Sequence, residues 1–248
     1  VLSHPGSVTR AADSHSDHRE ESAVVGLIKD LEDSLFDSVA GKIERYGFDK
    51  RAKAYYAFYK KTPSGRLAFA LAFIRHSADV DVTVNVAIRF DELEDLVNEH
   101  EDHLKDKQKQ NTFSLGAELG NISGVGQKRW TLASLDDVEG VADSIMNAFA
   151  SIGIPYLEEY SDMETALAAL SGDDKAAWLH SPLHDARARR AIGLAFLLGD
   201  REKFSEIAAA KTEFLTARND FGLESFMRLR EALDRLLSAR PQATSQSN

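Results

Sequence analysis

The stretch DVDVTVNVAIRF, residues 79–90, decides the fold. Val80, Val82, Val84, Val86 and Ile88 alternate there with Asp81, Thr83, Asn85 and Ala87. A period of two is that of a β-strand, and it sends the valines to one face and the polar set to the other. Just upstream, LAFALAFIRHS (67–77) is apolar on both faces and reads as a central strand. The links HSAD (76–79) and KTPSGR (61–66) are short, and short links join antiparallel neighbours. KAYYAFYKK (53–61) supplies a short aromatic strand. Downstream, TFSLGAELGN (112–121) alternates again, with Phe113, Leu115, Ala117 and Leu119 one way and Thr112, Ser114, Gly116 and Glu118 the other. After the glycine turn SGVGQ, KRWTLAS (128–134) reads as a last short strand.

Helical periods flank this sheet. Over residues 22–46, Val25, Ile28, Leu31, Leu35, Val39 and Ile43 recur at three- and four-residue steps, with Gly47 as the stop. Residues 90–108 form a second helix, with Asp91 as N-cap and Glu94 completing a capping-box pattern. From Ser134 onward the pattern is helix only. One helix stops at Gly153, one is broken near Ser161, and three more run over about 182–198, 200–217 and 221–239. The expected class is α+β: an antiparallel sheet of about five strands packed with helices, followed by a helical C-terminal subdomain. The expected organisation is a flexible tail over 1–22, an α+β domain over 23–172, the helical subdomain over 173–240 and a second tail over 241–248.

The order of these pieces resembles a bacterial family known only as domain of unknown function four-three-zero-four, over about residues 24–170. The resemblance is carried by the first helix ending in RYGF, the strand YYAFYKK, the strand VTVNVAI, and KRWTL followed by a helix ending in IGIPYLEEY. It implies a compact α+β fold and no established activity. Asn85, Arg129 and Trp130 match positions characteristic of the family pattern.

Composition narrows the chemistry. None of the 248 residues is cysteine, which excludes disulfides, thiolate nucleophiles and iron–sulfur clusters. Forty acidic against 30 basic residues give a formal charge of -10, the wrong sign for a general nucleic-acid binder. No run approaches the ~20 apolar residues of a spanning helix, and the first residues lack the apolar core of a secretory signal. The expected location is therefore the cytoplasm, with no membrane or nucleic-acid partner and no cofactor implied.

Catalytic templates fit poorly. His100 and His103 lie three apart on one helix face and are the weak metal candidates, but they lack the HExxH spacing. Seven acids in residues 91–102, with no Lys or Arg, read as a solvated acidic face. His180 and His184 are separated by Pro182, which favours a cap or loop role. GAELGNISGVGQKRW (116–130) misses the phosphate-loop spacing and reads as a glycine turn. His76, Ser77 and Asp79 read as a turn. Arg187, Arg189 and Arg190 read as a solvated helix face balancing the acidic first half, or as a holder of phosphate or an acidic partner.

One constellation points to binding. Asp81, Thr83 and Asn85 share the non-valine face, with Glu118 on the polar face of another strand. Arg129 and Trp130 adjoin it, and Tyr55, Tyr59 and Trp130 are expected to rim it. Such a face is either solvated, as antiparallel sheets often are, or a concave recognition surface. The leading functional reading is a non-enzymatic protein-interaction module that uses the acidic helix or the polar sheet face. The alternatives are a small-ligand-binding domain and an enzyme with an unfamiliar, histidine-metal site.

Overall fold

The alternating stretch becomes one of the two longest strands of a six-stranded antiparallel sheet. The structure, a computed structural model, describes residues 13–101 and 103–239, with only the backbone over 13–25. In chain order, α1 (Asp13–Ile43) precedes the strands β1 (Lys50–Ala52), β2 (Ala57–Thr62), β3 (Gly65–Arg75) and β4 (Val80–Phe90). Then come α2 (Asp91–Glu99), the single turn α3 (Asp106–Lys109), β5 (Leu115–Glu118), the single turn α4 (Leu119–Ile122) and β6 (Trp130–Leu132). The rest is helical: α5 (Val138–Ala148), α6 (Ile154–Tyr160), α7 (Met163–Ser171), α8 (Lys175–His180), α9 (His184–Leu197), α10 (Arg201–Ala217) and α11 (Leu223–Ala239). The expected α+β class, with its helical C-terminal region, is what the chain forms.

Strand order is β1-β2-β3-β4-β5, and β6 lies beside β5 along the same edge of β4. Val80, Val82, Val84, Val86 and Ile88 are all buried. Leu31, Leu35, Phe36, Val39 and Ile43 of α1 join them in one core with Phe58, Phe69 and Phe149. Gly47 ends the first helical segment at φ 83, a left-handed conformation that costs glycine little. Asp162, Asp174 and Asp200 each accept a backbone N–H at the start of α7, α8 and α10. Part of the chain's acidity is thus spent as helix caps.

Several boundaries differ from expectation. α1 starts at Asp13, inside the expected tail, because extending a helix already anchored by its apolar stripe is easier than nucleating one. The rest of that tail, the tail over 241–248 and Asp102 lie outside the described residues. The helix after β4 ends at Glu99, not near 108. Asp91 is its first residue rather than its cap, because its carboxylate accepts from Arg89 Nε at 2.7 Å. Gly153 does not stop its helix: a π-turn over Phe149–Gly153 carries the chain on into α6, where Pro155 is tolerated in the first turn. The helix α8 falls inside the expected helical region, as one more helix than the sequence marks there.

Two acids of the acidic segment, Glu94 and Glu101, meet the arginine cluster, while Asp91, Glu92, Asp95 and Glu99 stay exposed. Glu94, with no exposed surface, accepts from Arg190 Nε at 2.8 Å and Nη2 at 3.2 Å. Glu101 pairs with Arg189 at 2.5 Å, and Asp185 pairs with it at 3.0 Å. Asp91 and Asp95 flank Arg89. Arg187, also fully buried, donates to the Gly172 and Ser181 carbonyls and to Asp173. The solvated-face reading of the arginines is therefore corrected, and that of the acidic segment fails at Glu94 and Glu101, which with the arginines fasten α9 to α2 and to the turn after α7. The cause lies in the helix faces, since Leu93 and Val97 on α2 and Ile192 on α9 enter one core and bring their charged neighbours with them.

Candidate functional site

The register of the sheet defines its second face residue by residue. Ala57, Ala70, Asn85 and Glu118 lie in one cross-strand row, and Tyr59, Ala68, Ala87 and Gly116 in the next. With strands ~4.8 Å apart, each row is roughly 14 Å long. The floor is made almost wholly of alanine and glycine. Gly116 is required there, because a Cβ at that position would stand 2.7 Å from the Ala87 Cβ and 2.6 Å from the Val86 carbonyl oxygen.

Two cavities open on this floor and share Asn85 and Ala87. The smaller, about 240 Å³, is walled by Tyr55, Tyr59 and Phe113. The larger, about 750 Å³, runs under α8 and is lined by Trp178, Leu179, Pro182 and Lys175. Tyr59 and Phe113 lie nearly parallel, with centroids 6.4 Å apart. Tyr55 and Trp178 are among the most exposed aromatic side chains of the described residues, at 62% and 42%. The result is an aromatic-walled trough with a flat floor.

The candidates named from sequence separate on this geometry. Asn85 lies at the centre of the trough, and its side-chain amide has no protein hydrogen-bond partner among the described residues. Thr83 is buried. Glu118 is buried as well and is consumed by its own chain: its carboxylate accepts from the backbone N–H groups of Gly120, Asn121 and Lys128. Asp81 accepts from Thr131 Oγ1 at 2.7 Å and lies 3.5 Å from Arg129 Nη1, outside both cavities. The Thr131 hydroxyl, then His76 and Arg129, hold its carboxyl below the usual range against a weaker effect of burial.

Trp130 is not at the rim. It pairs in register with Val82, so its ring enters the valine side, where Nε1 donates to Ser144 Oγ at 2.8 Å. Phe113 makes the opposite move: expected on the core side with Leu115, it precedes β5 and stacks on Tyr59 at the trough wall. Among the described residues no group of three or more His, Asp and Glu side chains could hold a metal ion, so His100 and His103 gain no third ligand. No helix of these residues is long and apolar enough to cross a membrane.

The wall formed by α8 rests on a buried histidine. His180 Nδ1 lies 3.0 Å from the Tyr156 hydroxyl, and its ring stacks on Tyr156 and packs at a tilt against Tyr160. Burial pushes the imidazole pKa down, with Glu159 opposing weakly. The unfolded chain therefore binds a proton more readily, and stability falls as pH drops below about 6.5. The protection factors of the α8 amides, taken relative to intrinsic exchange at each pH, are expected to fall between pH 7 and 5, and His180→Phe is expected to abolish that fall.

No family model, curated protein or solved structure matches this chain. What the fold and trough define is an α+β protein with an open, aromatic-walled groove on the solvent side of an antiparallel sheet.

Proposed function

We propose that this chain is a non-catalytic recognition module that holds a small, partly apolar ligand against the second face of its sheet. One observation carries the reading: an alanine–glycine floor between aromatic walls, with the unengaged amide of Asn85 at its centre. Apolar lining with a few convergent polar groups is the usual make-up of a small-molecule site, and ~300–1,000 Å³ is its usual size.

The sheet face supports recognition better than the acidic helix does. Asp91, Glu92, Asp95 and Glu99 stay exposed on that helix but line neither trough cavity, whereas the sheet face forms the floor of both. A small ligand also fits the floor better than an extended peptide. The floor's backbone groups are committed to the sheet ladder, and Asn85 alone cannot satisfy the two backbone polar groups that each peptide residue brings. The family resemblance implies no activity, so the reading rests on the groove itself.

The test is a thermal-shift screen of small aromatic and amphiphilic compounds against the wild type and Ala87→Leu. Ala87 lines both cavities on the solvent side, so leucine there fills the trough without entering the core. Compounds that raise the wild-type melting temperature are expected to leave Ala87→Leu unmoved. Equal stabilisation of both proteins, or no stabilising compound at all, would overturn the reading.

A further inference from the structure

A third cavity, about 570 Å³, adjoins the trough and shares Tyr59 with it. Its lining includes Lys50, Lys61 and Arg66. The register explains why they converge: Lys50 pairs across the sheet with Tyr59, and Lys61 with Arg66, all on the second face. In a chain of formal charge -10, none of the three has a carboxylate partner among the described residues. Two acids share the lining, but Asp91 already accepts from Arg89. Three cations thus face two carboxylates, Asp49 and an Asp91 shared with Arg89.

Arg66 adds an independent sign. Its guanidinium lies 5.3 Å from the centroids of both Tyr59 and Phe113, and Nη2 donates to the Gln110 carbonyl. Its Nε is buried with no hydrogen-bond partner, one of only two such side-chain atoms among the described residues. Burial, and then the charge of Arg89 alongside, disfavour its charged form against weaker support from Tyr59 and Asp91. An arginine that must stay charged, held by two rings, short of one hydrogen bond and next to two lysines without carboxylate partners, is arranged for an anion that the protein itself does not supply.

We infer that Lys50, Lys61 and Arg66 form an anion subsite at the end of the trough, and that the ligand is a phosphomonoester of a flat ring system. The ring would lie in the alanine-floored cavity against Tyr59 and Phe113, and the dianionic phosphate would meet the three cations. This rests on the trough being a ligand site, and names the class of ligand it takes.

Three probes test it by isothermal titration calorimetry on the full chain: 1-naphthyl phosphate, 1-naphthol and inorganic phosphate. Naphthyl phosphate is expected to bind about tenfold or more tightly than either of the others, and to weaken as ionic strength rises. Lys50→Gln/Lys61→Gln changes two exposed side chains and should fold normally, yet lose about tenfold in naphthyl phosphate affinity while leaving naphthol unchanged. Arg66→Gln should act in the same direction. If naphthol binds as well as naphthyl phosphate and both are weakened by Ala87→Leu, the anion subsite falls and the trough stands. If inorganic phosphate alone binds as tightly as naphthyl phosphate, the joined site falls. If neither aromatic probe binds, both readings fall.

Discussion

Glu94→Ala is expected to lower the unfolding free energy by ~3–5 kcal/mol, because it leaves Arg190 charged and unpaired at a helix interface. The carboxylate is wholly buried and lies 96 residues in sequence from its partner, so the pair ties the sheet side of the molecule to α9. Glu94→Leu/Arg190→Met, which removes both charges and keeps apolar volume, should recover most of that loss, since replacing a buried pair by hydrophobes is often neutral. Urea denaturation of the two singles and the double gives the coupling, and a double as unstable as Glu94→Ala would sink this account. The pair also has a pH signature. Burial pushes the Glu94 carboxyl up, but the Arg190 guanidinium together with the Thr112 and Ser114 hydroxyls outweighs it and leaves the group below its ordinary value. Its contribution is therefore complete above the unfolded carboxyl pKa and is lost as pH falls below ~4.3 through the lower folded value. Glu94→Gln should remove that part of the acid transition.

The sheet was legible because period two survives in the sequence wherever one face is buried. The valines of β4 announced both the strand and its direction of burial, and Gly47 announced the first helix's end. The site was legible only in part. Alternation told that Asp81, Thr83, Asn85 and Glu118 share a face, but not which would be open. Glu118 is withdrawn by a local turn that needs an acceptor for three N–H groups, and Thr83 by burial. Alanine and glycine carry the floor, and their small side chains leave no hydrophobic pattern that separates a groove floor from a core strand. The cations of the anion subsite were just as hidden. Lys50, Lys61 and Arg66 lie on three strands, and only the register brings them to one cavity. The same limit explains the misread charges. Glu94, Glu101 and the cluster over 187–190 each look like part of a solvated face in isolation, because a helix alone does not reveal that its charged edge will meet an opposite one.

Asp173→Ala carries the most specific expectation for the helical region. Asp173 Oδ1 accepts from Lys211 Nζ at 2.7 Å and from Arg187 Nη2 at 3.0 Å, and both cations also donate to the Gly172 carbonyl. Two buried cations thus share one carboxylate at the turn between α7 and α8. Removing it strands both charges, and because Asp173 is a quarter exposed the loss at neutral pH should be roughly 2–4 kcal/mol, below that of a wholly buried pair. Lys211 can escape by losing its proton, whereas Arg187 cannot. Burial already pushes the Lys211 ammonium pKa down against the pull of Asp173. The folded chain therefore releases this proton before the unfolded one, and stability rises with pH in the window just below 10.5. Without Asp173 that window should widen downward, so the variant should regain part of its stability between pH 7 and 10 while the wild type gains less. Asp173→Ala/Lys211→Met, with one stranded charge fewer, should be more stable than Asp173→Ala at pH 7 and should lack the added slope. Chemical denaturation of the three proteins across that pH range decides it: parallel curves would show that Lys211 is not the group titrating, and an unrescued double variant would place the loss in Arg187 alone.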